Sequence, residues 1–258
     1  MTYRYVDVSR EGRLTIVTLN RPDAHNALNS EAHLELEAVF DAFAADGDQW
    51  AAIITGAGAK AFCAGHDLKQ QAAGGGLDLP PTGFAGLTSR FDLTKPVIAA
   101  VNGVAMGGGF EIALACDLVV ASAGAVFALP EPRVGLAALG GGIQRLSRSI
   151  GFHRAMDMML TGRRVTAAEG LALGFINEVA ETDVMAAARR RAAAILACSP
   201  MSVRATKQAA LRGLDTSLED GIGGQWKYPA MQAMLTSQDA VEGPVAFAEK
   251  RAPQWQGR

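Results

Sequence analysis

The chain has 258 residues, 49% of them hydrophobic and 19% charged, with a net charge of −2. That composition supports one large domain, or one domain with a helical appendage, and it excludes a largely disordered chain. So balanced a charge makes no electrostatic case for nucleic acid, and three scattered cysteines (Cys63, Cys116, Cys198) form neither a disulfide framework nor a zinc knuckle, which reads as a reducing, cytoplasmic setting.

Met1 to Arg13 is polar and charged, with no apolar signal-peptide core. Leu14 to Leu19 alternates and is rich in β-formers, so a strand is predicted there, closed by the turn Asn20-Arg21-Pro22. Ser30 is placed to cap an amphipathic helix running to about Ala45, with Leu34, Val39 and Phe43 among its apolar positions. Ala51 to Thr55 and Val97 to Val101 predict further strands, and two more fall near Asp117–Ala121 and Val126–Ala128. Ala72 to Thr82, with its glycines and Pro80-Pro81, predicts a mobile surface loop beside the site. The longest stretch of low charge, Pro96 to Cys116, is broken by Asn102, four glycines and Glu111, so it reads as strand, turn and helix and not as a membrane span.

From about Gly140 the pattern is helical, over residues 151–160, 166–173, 183–197 and 200–212, and Thr166-Ala167-Ala168-Glu169 fits a capping box. The segment from Ser237 holds one more helix and a basic, Trp-containing tail. Continuous apolar strands alternating with helices imply an α/β fold with buried, mainly parallel pairing. The expected division is a core domain over 1–198 and a helical C-terminal region over 199–258.

Three segments carry the candidate chemistry. Gly107-Gly108-Gly109 follows a strand and precedes Phe110-Glu111-Ile112, so the free N–H groups of a helix start face a loop that a ligand can approach closely. Close helix–strand packing explains the same glycines equally well. Ala64-Gly65, in Phe62-Cys63-Ala64-Gly65-His66-Asp67-Leu68, offers a second donor. Glu111 and Glu131 lie in strongly apolar surroundings, where a carboxylate needs a partner or a task. Taken singly, Glu111 suits a first helical turn for dipole reasons and Glu131 suits an exposed loop between Pro130 and Pro132. Together, two donors and two carboxylates in glycine-rich turns point to chemistry at a carbonyl.

Two other readings lack their context, and a serine nucleophile assembled from distant residues stays open as the enzymatic rival. Gly56-Ala57-Gly58-Ala59-Lys60-Ala61 matches a dinucleotide fingerprint, but no amphipathic helix follows it. Cys63, His66 and Asp67 form half of a metal cluster with no second half. Four histidines (His25, His33, His66, His153) are present, yet no Gly-x-Ser-x-Gly elbow activates a serine.

At these residues the chain resembles the crotonase, or enoyl-CoA hydratase, superfamily. The likeness rests on Arg21–Leu28, Ile53–Gly58, Phe62–Lys69, Lys95–Asp117, Phe127–Glu131 and Gly141–Leu146, in the family's order and over nearly the whole chain. Within it, Gly83–Thr88, Lys95–Gly103 and the tail Glu242–Arg251 are most similar to the carnitinyl-CoA dehydratases. The resemblance implies a spiral of ββα units with a helical C-terminal region that drives assembly into a homotrimer or a dimer of trimers. It implies an oxyanion hole from the N–H groups of Ala64 and Gly108, Glu111 as the water-orienting base and Glu131 as proton donor to the α-carbon. Ala24, Leu28, Lys60, His66, Asp67 and Leu68 would lie along the coenzyme A and acyl groove, Gly65, Gly107 and Pro130 would also bind the substrate or its coenzyme A, and Leu139 would stand near the acyl end. Phe247 and Lys250 would reach the adenine and phosphate end. No metal, redox cofactor or membrane partner is implied; coenzyme A enters as part of an acyl-CoA thioester substrate.

With both glutamates present, reversible hydration of a 2-enoyl-CoA is the expected reaction. Carnitinyl-CoA dehydration, an isomerase of the same fold and a noncatalytic acyl-CoA-binding subunit are the alternatives. The sequence departs from the family at Ala137-Ala138-Leu139-Gly140, where Leu139 puts an apolar side chain near the acyl end.

Overall fold

The computed structural model describes residues 3–74 and 78–258. Residues 75–77, in the expected surface loop, lie outside the described residues, as do Met1 and Thr2.

Ten strands are β1 Val6–Glu11, β2 Leu14–Leu19, β3 Ala51–Gly56, β4 Ala61–Cys63, β5 Val97–Val101, β6 Val104–Met106, β7 Leu118–Ser122, β8 Val126–Ala128, β9 Val165–Thr166 and β10 Glu178–Ala180 among the described residues. They form two sheets, one of order β1-β2-β3-β5-β7-β10 and one of order β4-β6-β8-β9. Each of β3, β5 and β7 lies in the large sheet, and the strand after it lies in the small one. The chain therefore winds in a spiral, one strand in each layer per turn, with helices closing the turns. Pairing is parallel except for β1 with β2 and β8 with β9.

Burial explains the strand sequences. Every residue of β3 and of β5 is buried, because the large sheet is covered on both faces. On one face Leu14, Ile16, Ile53, Ile98 and Val120 pack with Ala187, Ala188 and Ala192 of α7 (Val184–Leu196). On the other, Val17, Leu19, Ile54 and Ala99 share a core with Leu36, Phe40 and Phe43 of α1 (Ser30–Ala45), and with Phe110 and Phe127. Strand β1 behaves differently. All its residues after Val6 are exposed, so this edge strand has no apolar alternation to read, and it joins β2 through the turn at Gly12 (φ 58°).

Helix α1 starts where expected, but its cap is Asn29, whose side chain accepts from the N–H of Ala32 at 2.9 Å. Its buried face carries His33, Leu36, Val39, Phe40 and Phe43, and Leu34 is turned out at 54% exposure. The helix α2 (Leu68–Ala72) ends where the expected loop begins. Helix α3 (Gly108–Ala115) follows β6 directly, and α4 (Gly142–Ile150) and α5 (Phe152–Thr161) pack together after it. For α6 (Ala167–Leu173), Thr166 caps the N–H of Glu169 at 3.2 Å, and the Glu169 carboxylate pairs with Arg163 at 2.8 Å. The C-terminal helices are α8 (Pro200–Gly213), α9 (Leu218–Gly224), α10 (Pro229–Leu235) and α11 (Gln238–Ala248). Ser199 and Asp239 join α8 to α11 through a buried hydrogen bond of 2.9 Å. Among the described residues no helix is long and apolar enough to cross a membrane.

Candidate active site

Strands β4, β6 and β8 are parallel neighbours in the small sheet, so their C-terminal ends open side by side. From those ends run Ala64-Gly65-His66, Gly107-Gly108 and Leu129-Pro130-Glu131 respectively. Carboxyl ends of parallel strands are where α/β folds place ligands. The three segments that the sequence singles out separately are thus neighbours in space.

Their contacts leave no room for side chains. A methyl on Gly65 (φ 92°) would lie 2.8 Å from the Met106 carbonyl and 3.1 Å from the Gly108 nitrogen. Gly107 adopts φ 53°, ψ −126°, a conformation that disfavours any Cβ, and a methyl there would sit 3.0 Å from Glu131 Oε1. Gly108 is pressed against the Phe84 ring, and Gly109 against the Cys63 carbonyl. Close packing therefore operates along the whole glycine run.

The donor assignment changes in the structure. The Ala64 N–H is already engaged, donating to the His25 carbonyl at 3.0 Å. His66, two residues on, pairs its backbone with Leu28 through Leu28 N–H to Gly65 O (2.8 Å) and Asp67 N–H to Leu28 O (2.9 Å). Among the described residues neither the His66 N–H nor the Gly108 N–H has an acceptor.

Glu111 is 4% exposed on the first turn of α3. Gly142, opening α4, donates its N–H to Glu111 Oε1 at 2.9 Å. Burial raises its pKa to about 7; the Glu131 charge adds to the rise, and the Gly142 and Gly140 amides and Arg145 oppose it. Glu131 opens a 3-10 turn over Glu131–Val134, its Oε2 is buried without a hydrogen-bond partner, and burial raises its pKa too. Such an orphaned oxygen is costly unless a ligand completes it. Beside Glu131 lies a cavity of about 180 Å³, lined by Leu129, Pro132, Ala137, Ala138, Ile143, Met156, Met159 and Leu160.

The remaining expected residues divide. Leu28 is buried in the core at 1% exposure, so only its backbone borders the site. Asp67 is held by Arg21 at 3.0 Å, an ion pair that ties the 21–28 loop to the 64–67 segment. Cys63 is buried and its thiol is pushed up to about 12 by desolvation. Lys60 and Leu68 are exposed and Ala24 is half-buried. Leu139 is 84% exposed and absent from the cavity wall, which Ala137 and Ala138 form instead. Phe247 is 86% exposed at the end of α11, and Lys250 follows that helix with φ 56°. Missed in the sequence were Gly140 and Gly142, which cradle Glu111, and Met156 and Met159 of α5; the run Gly140-Gly141-Gly142 before a helix was the available signal.

Residues 9–258 match the enoyl-CoA hydratase/isomerase family. The chain belongs to that family. It is 44% identical over 258 residues to a carnitinyl-CoA dehydratase of Salmonella arizonae, covering 97% of each chain. A carnitinyl-CoA dehydratase of Proteus mirabilis is 43% identical, over 97% of this chain and 98% of that one. Among solved structures, an enoyl-CoA hydratase from Mycobacterium tuberculosis superposes with a TM-score of 0.92 at 40% identity, covering 98% and 99% of the two chains. One from Mycobacterium marinum gives 0.92 at 41% identity over the same shares. The expected family and the ββα spiral are both confirmed, and the chain is an enzyme of the hydro-lyase type acting on coenzyme A thioesters.

Proposed function

We propose that this enzyme reversibly adds water across the double bond of a 2-enoyl-CoA. The observation that supports this best is the side-by-side arrangement of two buried carboxyls and two uncommitted backbone N–H groups at the ends of β4, β6 and β8. The thioester oxygen sits between the N–H groups of Gly108 and His66, with His66 replacing Ala64 as the second donor. Glu111 orients water and takes its proton as the oxygen bonds to the β-carbon. The double-bond electrons move onto the thioester oxygen, giving an enolate held by the two amides. Glu131 then delivers a proton to the α-carbon. Burial raises the pKa of both carboxyls, Glu111 to about 7, so both are weaker acids than an exposed glutamate, as proton transfer near neutral pH requires. Removing one oxyanion donor typically costs about 10²–10³ in rate.

A second reading, carnitinyl-CoA dehydration, is favoured by the names of the 44% and 43% identical relatives. The aliphatic cavity wall favours an uncharged tail, since it offers a quaternary ammonium no aromatic face. Crotonyl-, hexenoyl- and crotonobetainyl-CoA, followed by enoyl absorbance and by thiol release, decide between them. Hydration of the first two supports the main reading; turnover of crotonobetainyl-CoA alone supports the second. No absorbance change with any substrate would make the chain a binding subunit, and thiol release would make it a hydrolase.

The assembly is a homotrimer or a dimer of trimers, with 199–258 as the associating region of a 1–198 core; exposed Leu218, Ile222 and Trp226 on that region support it. A monomer in light scattering at micromolar concentration would overturn this. Ala24, Lys60 and Leu68 border the coenzyme A groove, and Phe247 and Lys250 serve its phosphate end. No cofactor beyond the substrate's coenzyme A is required by these steps, and the setting is cytoplasmic.

A further inference from the structure

The motif Gly141-Gly142-Ile143-Gln144-Arg145 contains a charge that the chemistry above does not use. Arg145 lies on the first turn of α4, half-buried, and its N–H donates to the Gly141 carbonyl at 2.9 Å. Its guanidinium makes two further contacts. One arm, Nη1, lies against Gly141 (φ 96°), where a methyl would meet it at 2.2 Å. The other, Nη2, donates to the Thr88 carbonyl at 2.7 Å. The Phe91 ring lies 5.6 Å from the guanidinium carbon.

Those two arms meet two different supports of the site. Gly141 is flanked by Gly140 and Gly142, which enclose the Glu111 carboxyl. Thr88 closes the turn that carries Phe84: the Phe84 N–H donates to Thr88 Oγ1 at 2.9 Å, and the Thr88 N–H to the Phe84 carbonyl at 3.2 Å. The tip of the Phe84 ring in turn backs Gly108, whose N–H is the proposed oxyanion donor. One planar guanidinium therefore lies between the carboxyl cradle, against which it packs at Gly141, and the support of the backbone donor, to which it hydrogen-bonds at Thr88, 57 positions away in sequence.

We propose that Arg145 is a positioning residue that keeps Glu111 and the Gly108 donor in one fixed frame. A guanidinium can do this because its donors diverge in a plane, whereas an ammonium presents one point charge. The charged groups facing Glu111 are Glu131, from the turn after β8, and Arg145, from α4. Arg145 opposes the rise in the Glu111 pKa, so its removal also shifts that ionisation to higher pH.

The inference rests on the proposed hydration, and the test separates the two. Wild type, Arg145→Met and Arg145→Lys are compared by kcat and KM for crotonyl-CoA across pH, with circular dichroism and thermal melting as controls. The Glu111 carboxyl is also titrated by 13C NMR, which needs no turnover. Arg145→Met is expected to lose about 10–100-fold in kcat, as misplaced catalytic groups do, with KM within about twofold and the Glu111 titration moved to higher pH. Arg145→Lys is expected to restore the titration but not the rate. If the folded Met variant keeps its kcat, or loses only KM, or leaves the Glu111 titration unmoved, Arg145 is a packing residue and the proposal fails. If the wild type hydrates nothing, the hydration reading fails, and the titration alone still decides whether Arg145 acts on Glu111.

Discussion

Gly140 has no side chain where Glu111 needs the space: a methyl on its Cα would lie 2.6 Å from Glu111 Oε2. The atom it would strike is the free end of a flexible side chain, so the carboxyl can swing aside at small cost to stability. Gly140→Ala is accordingly expected to melt within a few degrees of wild type and to lose about 10²-fold in hydration rate through misplacement of the carboxyl. Equal loss of melting temperature and activity would mean that the glycine serves packing alone.

Replacing either carboxyl by its amide is expected to reduce hydration by about 10²–10⁴-fold without unfolding the protein. Steady-state rates of Glu111→Gln and Glu131→Gln on crotonyl-CoA check this. Either variant retaining near-native hydration would remove that residue from the mechanism.

Glu111→Gln should also stabilise the protein. A carboxyl whose pKa rises on folding from 4.5 to about 7 opposes folding wherever it must ionise in the native state. The sign follows from proton binding: between pH 4.5 and about 7 the folded state holds the proton that the unfolded state has released. The gain on substitution is absent below pH 4.5, grows through this window and is complete above about 7, at an order of ~3 kcal/mol. Buried His33 works in the other direction. Desolvation lowers its pKa from 6.5 to about 4, so stability falls as pH drops through that interval, and the two effects partly cancel in the wild type. Denaturant midpoints at pH 5 and pH 8 measure both. A Glu111→Gln variant no more stable than wild type at pH 8 would contradict the burial argument.

The pH profile of kcat/KM is expected to be bell-shaped, because only the singly protonated carboxyl pair has both a base and an acid. Both pKa values are raised by burial, so both limbs lie above the ordinary glutamate value of 4.5, with the Glu111 ionisation near 7. Glu111→Gln should erase one limb. A profile flat from pH 5 to pH 9 would rule this out.

Lys250 takes a left-handed conformation, with its N–H on the Phe247 carbonyl at 3.2 Å and the Arg251 N–H on Ala246 at 3.0 Å. That is a helix-ending turn which glycine adopts more readily. Lys250→Gly removes the cation while keeping the turn, and it should leave stability unchanged or slightly raised. If the cation meets the coenzyme A phosphates, KM rises several-fold with little change in kcat, and the difference shrinks at high salt. An unchanged KM at low salt would leave Lys250 a helix terminus only.

The sequence by itself determined the pieces. Strands β3 and β5 were legible because full burial writes them as apolar runs, β2 was legible from its alternation and β-formers, and Glu111 and Glu131 stood out because carboxylates are rare in apolar company. Tertiary structure decided how the pieces meet. Strands β4 and β6 have three residues each, too short to carry a period of their own, yet their parallel pairing with β8 sets the three site segments side by side. The direction of a single N–H group is likewise invisible in composition: Ala64 turns to His25, and His66 is left facing no protein acceptor. The same holds for Leu139, apolar in sequence but pointing to solvent, and for Gly140 and Gly142, whose missing side chains matter only because Glu111 is folded against them from a helix that precedes them in the chain. Local propensity and burial preference act through near neighbours along the chain, whereas contacts between distant loops depend on strand register, which no short window of sequence encodes.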